Sequence, residues 1–391
     1  MTTPRSRADT RWHSVSQVLA QVRRHPGITR AALARELDLT SGFATELVSR
    51  MRQARLLTET PAPVSGRGRP TTSLRPHPDG PLVLAIELRH DGWRDALVSV
   101  DGQLHDARLH RHRDREPATA MTAMRRAVDQ ARDRYGHRLR AVALAVAGIV
   151  RDEHLVQAST LGWGPLDLTT LTRPAGLPLL VGNDATLAGV AEARTGAATG
   201  ARTALHLIVA TGIGGVLTVD GHPVDGAHGA AGEYGHLPLG DRRLRCPCGA
   251  RGCWDLEVDG RAIARHLGEP APADPRAYAL GFLERADTGP RVRDALAAVA
   301  QALAAGIAGL VNACDPDLIT LGGLGPPIRR ADGTAFDRAY TDGLMAYRRG
   351  RPPPVIDATH GDDGPLHGAA IIGLDHVTSE TALADWSATG H

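Results

Sequence analysis

Eighteen residues, from His236 to Cys253, constrain this chain more than any other stretch. Three cysteines fall in Cys246-Pro-Cys248-Gly-Ala-Arg-Gly-Cys253, and His236 ends Gly232-Glu-Tyr-Gly-His236 just ahead of them. One imidazole and three thiolates are the four ligands of a closed tetrahedral zinc site. Gly249 and Gly252 let the backbone curl so that the thiolates converge. A set of reduced cysteines with no metal is the competing reading, but the His/Cys clustering favours zinc. The start, Met1-Thr-Thr-Pro-Arg-Ser-Arg, has no apolar run behind its basic residues, so no export signal is read there, and metal is expected rather than a disulfide framework. The expectation is one structural Zn2+ per chain on His236, Cys246, Cys248 and Cys253, in a cytoplasmic protein with no membrane partner. The fourth cysteine, Cys314, sits on an apolar helix and is read as core.

The chain has 391 residues, enough for two or three domains. Its formal charge is only +2, yet residues 1–80 hold 13 Arg against 6 acids, a net of +7 that leaves −5 for the rest. A basic segment on an acidic body points to a nucleic-acid-binding module. Every basic residue is Arg, so no lysine can hold a phosphate or form a Schiff base. Codon usage accounts for that bias.

The pattern within the basic segment agrees. Val15, Val18, Leu19 and Val22 have helical spacing. Thr29 caps a second helix carrying Ala32, Leu33 and Leu37, and a short turn leads into a third from about Ser41 to Arg55. This is a helix-turn-helix, whose last helix enters the major groove. Its exposed early positions are Ser41, Gly42, Phe43, Thr45 and Glu46, with Arg50 further along. Glu46 can accept from a cytosine amine and Phe43 can touch a thymine methyl. Arg30 and Arg52 suit phosphates. A hairpin wing follows, with Gly66-Arg-Gly-Arg-Pro70, where Arg67 and Arg69 suit a narrow minor groove. A flexible linker with incidental charge is the alternative for those five residues.

From Pro81 the periodicity changes. Three strands over 83–110, a helix over about 118–135, and strands over 141–146, 179–184, 204–209 and 317–323 alternate with helices, as in an α/β body. The apolar run Ala295–Val311 is read as a buried core helix rather than a membrane span. The predicted domains are 1–80, a winged helix-turn-helix with wing and linker; 81–376, the α/β body; and 377–391, a tail with no motif and no expected order.

These residues together resemble the ROK family of repressors, open-reading-frame proteins and sugar kinases. The resemblance rests on the winged helix, Asn183-Asp184, the box ending at His236, the cysteine box, Leu321-Gly-Gly323 and Gly368-Ala-Ala370. It implies an actin-like (ribonuclease-H-like) two-lobed body and a homodimer or homotetramer. In family kinases the residue matching Asp184 is the catalytic base, and those matching Asn183, Glu233 and His236 bind sugar. Asp255 stands where the family has a sugar-binding glutamate, Ala147 where it has Pro before Gly148, and Ser159-Thr160 where it has Pro-Asn. An effector site on Gly148, Asn183, Asp184, Glu233, His236 and Asp255 is therefore implied.

The first phosphate loop of the family kinases, Asp-x-Gly-Gly-Thr, reads Glu87-Leu88-Arg89-His90-Asp91 here. Thr211-Gly-Ile-Gly-Gly215 does resemble the second. With half a nucleotide clamp, phosphoryl transfer is not expected, and Asp184 becomes a vestigial base. The expected function is a sequence-specific repressor of a double-stranded operator, controlled by a sugar or sugar phosphate. The alternatives are a sugar kinase with an appended DNA-binding domain, and a regulator whose body senses a protein.

Overall fold

The computed structural model describes residues 7–61, 72–114, 116–285 and 289–389. The chain divides into two units.

The first unit holds residues 1–144, 167–181 and 369–391. It opens with α1 (Arg7–Arg24), α2 (Arg30–Glu36) and α3 (Ser41–Gln53). Each of the last two starts on a threonine side-chain cap: Thr29 Oγ1 accepts from Ala32 N–H (3.2 Å) and Thr40 Oγ1 from Phe43 N–H (3.3 Å). Val18, Leu19, Leu33, Leu47 and Met51 close the core between them. Strands β1 (Leu57–Pro61) and β2 (Thr72–Pro76) pair antiparallel, Leu57 opposite Pro76, and form the stem of the wing. Arg67 and Arg69 lie outside the described residues.

The same unit carries a five-stranded sheet. Its strands are β3 (Leu82–Leu88), β4 (Gly92–Ser99), β5 (Leu104–Arg111), β6 (Leu139–Val146) and, later in the chain, β10 (Leu179–Asn183). Helix α4 (Pro117–Tyr135) lies between β5 and β6. The order across the sheet is β10-β6-β3-β4-β5. β3 is buried along its whole length, as its unbroken apolar run requires.

The second unit holds residues 145–166 and 182–368. A small ribbon, β7 (Ile149–Arg151), β8 (His154–Gln157) and β9 (Leu166–Asp167), comes first. Helix α5 (Asp184–Thr195) precedes β11 (Thr203–Val209), β12 (Ile213–Val219) and β13 (His222–Pro223). After the cysteine loop come α6 (Gly260–Leu267), α7 (Pro275–Leu283) and α8 (Pro290–Cys314), then β14 (Leu318–Gly323), α9 (Gly325–Ala331), α10 (Gly333–Gly343), α11 (Ala346–Arg349) and β15 (Val355–Asp357). The sheet order is β13-β12-β11-β14-β15, with β14 parallel to both β11 and β15. Numbered within each sheet, both units run 5-4-1-2-3, a structural duplication. α8 is the core helix its apolar run predicts: Leu296, Val299, Leu303 and Ile307 are buried. Cys314 is a correction, because it ends α8 and is half-buried rather than core.

The last helices, α12 (Gly364–Val377) and α13 (Glu380–Ala388), bring the main departure from expectation. The tail over 377–391 is ordered through its helix: Leu383 and Trp386 are 0 % and 1 % exposed in the core of the winged helix. Two apolar residues one turn apart are too short a pattern to announce a docked helix, and Trp386 meets Ala54, 332 residues earlier. The linker is likewise held, since Arg138 Nε donates to Gly80 O (3.1 Å).

Candidate functional site: a metal centre beside a ligand pocket, and a DNA-binding head

The donor atoms of His236, Cys246, Cys248 and Cys253 lie within 4.8 Å of one another, the one such His/Cys group among the described residues. Cys248 Sγ is 3.7 Å from Cys253 Sγ, and Cys246 Sγ is 3.9 Å from His236 Nδ1. Two thiolates on a tetrahedral ion with bonds of about 2.3 Å stand roughly 3.8 Å apart, so the donors fit. The turn that gathers them is short-range: Gly249 N–H donates to Cys246 O and Cys246 N–H to Ala250 O, both 2.9 Å, with Gly249 and Gly252 at positive φ. Burial pushes the Cys246 thiol up and that of Cys253 to about 12. Trp254, next in the chain, anchors the loop to α8 by donating to Ala302 O (2.9 Å).

His236 has two faces. Nδ1 points to the thiols and lies 3.5 Å from Asp255 Oδ2, while Nε2 lies 3.6 Å from Glu233 Oε2. Burial raises the Glu233 carboxyl above its ordinary value, against the pull of His236. Asp255, 9 % exposed, accepts from Ile213 N–H at 2.6 Å, and burial raises its pKa too. Asp255 thus braces the glycine loop 211–215 as well as facing His236. Arg261 braces the same loop, donating to Thr211 O (2.9 Å) from its ion pair with buried Asp259. Nothing in the sequence marks Arg261, fifty residues from its target.

Asn183 and Asp184 sit where β10 passes into α5. Asn183 Oδ1 accepts from Thr186 N–H (3.0 Å) as the cap of α5, and Nδ2 donates to Gly148 O (3.1 Å). Asp184 Oδ1 accepts from Ala185 N–H (2.8 Å). Gly148 is held close to β8, where a Cβ would stand 2.6 Å from Gln157 O. All six effector candidates belong to the second unit.

In the head, Ser41, Gly42, Phe43, Thr45 and Glu46 are exposed on the first turns of α3, Phe43 by 41 %. Glu46 forms an ion pair with Arg50 one turn on. Arg30 and Arg52 converge on Glu59 of β1, at 3.5 and 3.2 Å.

The chain matches the ROK family over residues 84–376 and the MarR family over residues 13–68. It belongs to the ROK family. The glucokinase of Streptomyces coelicolor is 31% identical over 201 residues, which are 50% of this chain and 61% of the glucokinase. The xylose repressor of Bacillus subtilis is 27% identical over 128 residues, 32% of this chain and 33% of the repressor. The crystal structure of a ROK family transcriptional regulator, a homologue of the E. coli MLC protein, superposes with a TM-score of 0.75. It covers 98% of this chain and 100% of that one at 20% identity, a likeness of fold. The architecture is thus a MarR-type winged helix on an actin-like ROK body.

Residues Glu87, Arg89, Asp91, Arg94 and Arg111 form an ion-pair cluster at the β3–β4 turn and on β5. Arg94 Nε donates to Glu87 Oε2 (2.8 Å), Arg89 lies 3.7 Å from Glu87 Oε1, and Arg111 donates to Asp91 Oδ2 (2.8 Å). Burial opposes ionisation of Asp91, but Arg89, His90 and Arg111 outweigh it and lower its pKa. The Glu87 side chain is 5 % exposed. Nothing in the sequence marked that these charged side chains would be locked to one another.

Proposed function

We propose that this ROK protein is a sequence-specific transcriptional repressor whose body binds a sugar or sugar phosphate. The observation that carries the reading is the MarR-type winged helix with its recognition face exposed, joined to a ROK body. Ser41, Gly42, Phe43 and Thr45 read base edges, and Arg30 and Arg52 meet phosphates, presented together by Glu59. Because Glu46 is paired with Arg50, the two act as one polar unit rather than as separate base contacts. Arg67 and Arg69 enter the minor groove. The protein works as a cytoplasmic homodimer or homotetramer on a palindromic operator.

The four-donor cluster holds one structural zinc ion. Zinc supplies a fixed crosslink between the His236 segment and the cysteine loop. His236 Nε2 and Glu233 then face the sugar hydroxyls, with Asn183, Asp184 and Gly148 on the α5 side and Asp255 holding the second glycine loop. The sugar shifts DNA affinity to the extent that it binds the two states of the protein unequally.

Gel-shift titration against the gene's own upstream DNA tests the reading, with a salt-sensitive, sequence-preferring shift expected. Absence of any such shift sinks it. Similarity to a glucokinase and the presence of Asp184 favour a second reading, an ATP-dependent sugar kinase. The Glu87–Arg94 cluster argues against it, since side chains fill the place where backbone N–H groups of glycines would meet phosphate. Coupled ADP release across a hexose and amino-sugar panel, abolished by Asp184→Asn, would establish the kinase instead.

A further inference from the structure

The winged helix has a fourth helical element that comes from the other end of the chain. Trp386 of α13 is 1 % exposed, and its Nε1–H donates to Ala54 O at 2.7 Å. Ala54 is the C-cap of α3, the recognition helix. The last carbonyls of a helix have no partner within it, and this one is satisfied by an indole 332 residues away. The same indole stacks on His137 (5.7 Å between ring centroids, 25° between planes) and lies 5.9 Å from the Arg140 guanidinium, which also pairs with Asp385. α13 is further tied to α1 by His13 Nδ1 and Glu380 Oε1, 2.9 Å apart. Arg23, also on α1, donates to Thr378 Oγ1 at 3.1 Å. Trp386 therefore joins the recognition helix to the sheet of the first unit through one side chain.

α13 is the direct continuation of α12, with only Thr378 and Ser379 between them, and Thr378 is 2 % exposed. α12 begins among residues of the second unit and ends among those of the first. At its beginning, Gly368 lies against the backbone of Leu187 in α5, so closely that a methyl group there would overlap the Leu187 carbonyl. α5 is the helix that Asn183 caps and Asp184 opens. Near its end, Gly373 lies on β3 and β6, where a Cβ would stand 2.5 Å from Val83 Cγ1 and 3.2 Å from Ala143 Cβ. Close-packed contacts of this kind shift as a unit rather than deform smoothly.

We propose that Trp386 is a positioning residue for DNA recognition, and that the α12–α13 strap links the orientation of the recognition helix to α5 at the sugar site. This rests on the regulator reading above. A displacement of α5 on sugar binding has a packed, covalent path to Ala54. The strap acts on the direction of α3, so it changes affinity without changing the number of phosphates contacted.

The test is fluorescence anisotropy of a labelled duplex from the gene's upstream region, titrated with the full-length protein over a range of salt. Trp386→Phe keeps an aromatic ring but loses the N–H. It is expected to weaken binding about threefold to tenfold, the worth of one hydrogen bond, with the salt slope unchanged. A fall in melting temperature with unchanged affinity, measured well below that temperature, makes Trp386 merely structural and overturns the positioning role. The link to α5 is read by a double-mutant cycle. Gly368→Ala is expected to change affinity at least about threefold in the natural background and less than about twofold in Trp386→Ala. Leu187→Ala loosens the same contact from the other side and replaces Gly368→Ala should that variant not fold. Equal effects in both backgrounds, or none in either, overturn the link. Failure of the unsubstituted protein to bind the duplex counts against the regulator reading itself, whereas binding that ignores every substitution counts against the strap alone.

Discussion

Metal uptake should be steeply dependent on pH, and the structure sets the size of the effect. Zinc binds thiolate, not thiol, so each protonated ligand must release a proton when the ion enters. Cys246 and Cys253 are 4 % and 0 % exposed, and burial raises both thiols above their ordinary value, Cys253 to about 12. Both are therefore protonated across the neutral range in the metal-free protein. Each proton released makes the apparent affinity rise about tenfold per pH unit, so these two alone predict a rise of about 100-fold between roughly pH 6.5 and 7.5. Competition for Zn2+ against a chromophoric chelator at three pH values in that window, at constant ionic strength, measures the slope. Calorimetry in two buffers of different ionisation enthalpy counts the protons directly. A slope below tenfold across the window would mean that at most one of these thiols joins the metal, and the four-donor assignment would fall. Cys248→Ser should then be the informative variant: it leaves both buried thiols in place and is expected to lose bound zinc and lower the melting temperature.

Replacing Arg30 and Arg52 together with Ala should reduce the slope of log K against log salt by about 1.8, two phosphates' worth, measured by anisotropy on the operator duplex. Arg67→Ala with Arg69→Ala should also lower the slope, and an unchanged slope would return that stretch to a plain linker. Asn183→Ala removes the cap of α5 and is expected to cost about 1 kcal/mol in urea unfolding, along with sugar affinity in calorimetry. Glu87→Ala removes the buried carboxylate that faces Arg94 and Arg89 and should destabilise the protein by about 3–5 kcal/mol. The paired change Glu87→Leu with Arg94→Met should recover most of that loss, because an apolar pair needs no charge compensation, and urea unfolding of the single and paired variants decides it.

The three helices of the head were legible in the sequence, with their ends off by a few residues. Thr29 and Thr40 cap helices because a hydroxyl three residues before a free N–H satisfies it locally, so sequence alone carries that information. The metal cluster was legible for the same reason: Gly249 and Gly252 let eighteen residues fold back on themselves, and the ligands are near one another in the chain. The roles of the proposed effector residues were only partly legible: the structure shows Asn183 as a helix cap tied to Gly148 and Asp255 as a brace on Ile213. Arg261, which holds the same loop, has no local pattern to betray it.

What the sequence determined by itself was therefore everything set by short-range stereochemistry: the helices and their caps, the strand runs, the turn that gathers three cysteines, and the charged residues that stand at 87–91. The tertiary structure decided how those charged residues are spent, pairing Glu87 with Arg94 across β3 and β4. It also decided that residues 380–388 belong to the winged-helix head. Trp386 and Ala54 meet because a helix carbonyl left without a partner and a buried indole N–H each need the other, a requirement that distance along the chain neither reveals nor prevents.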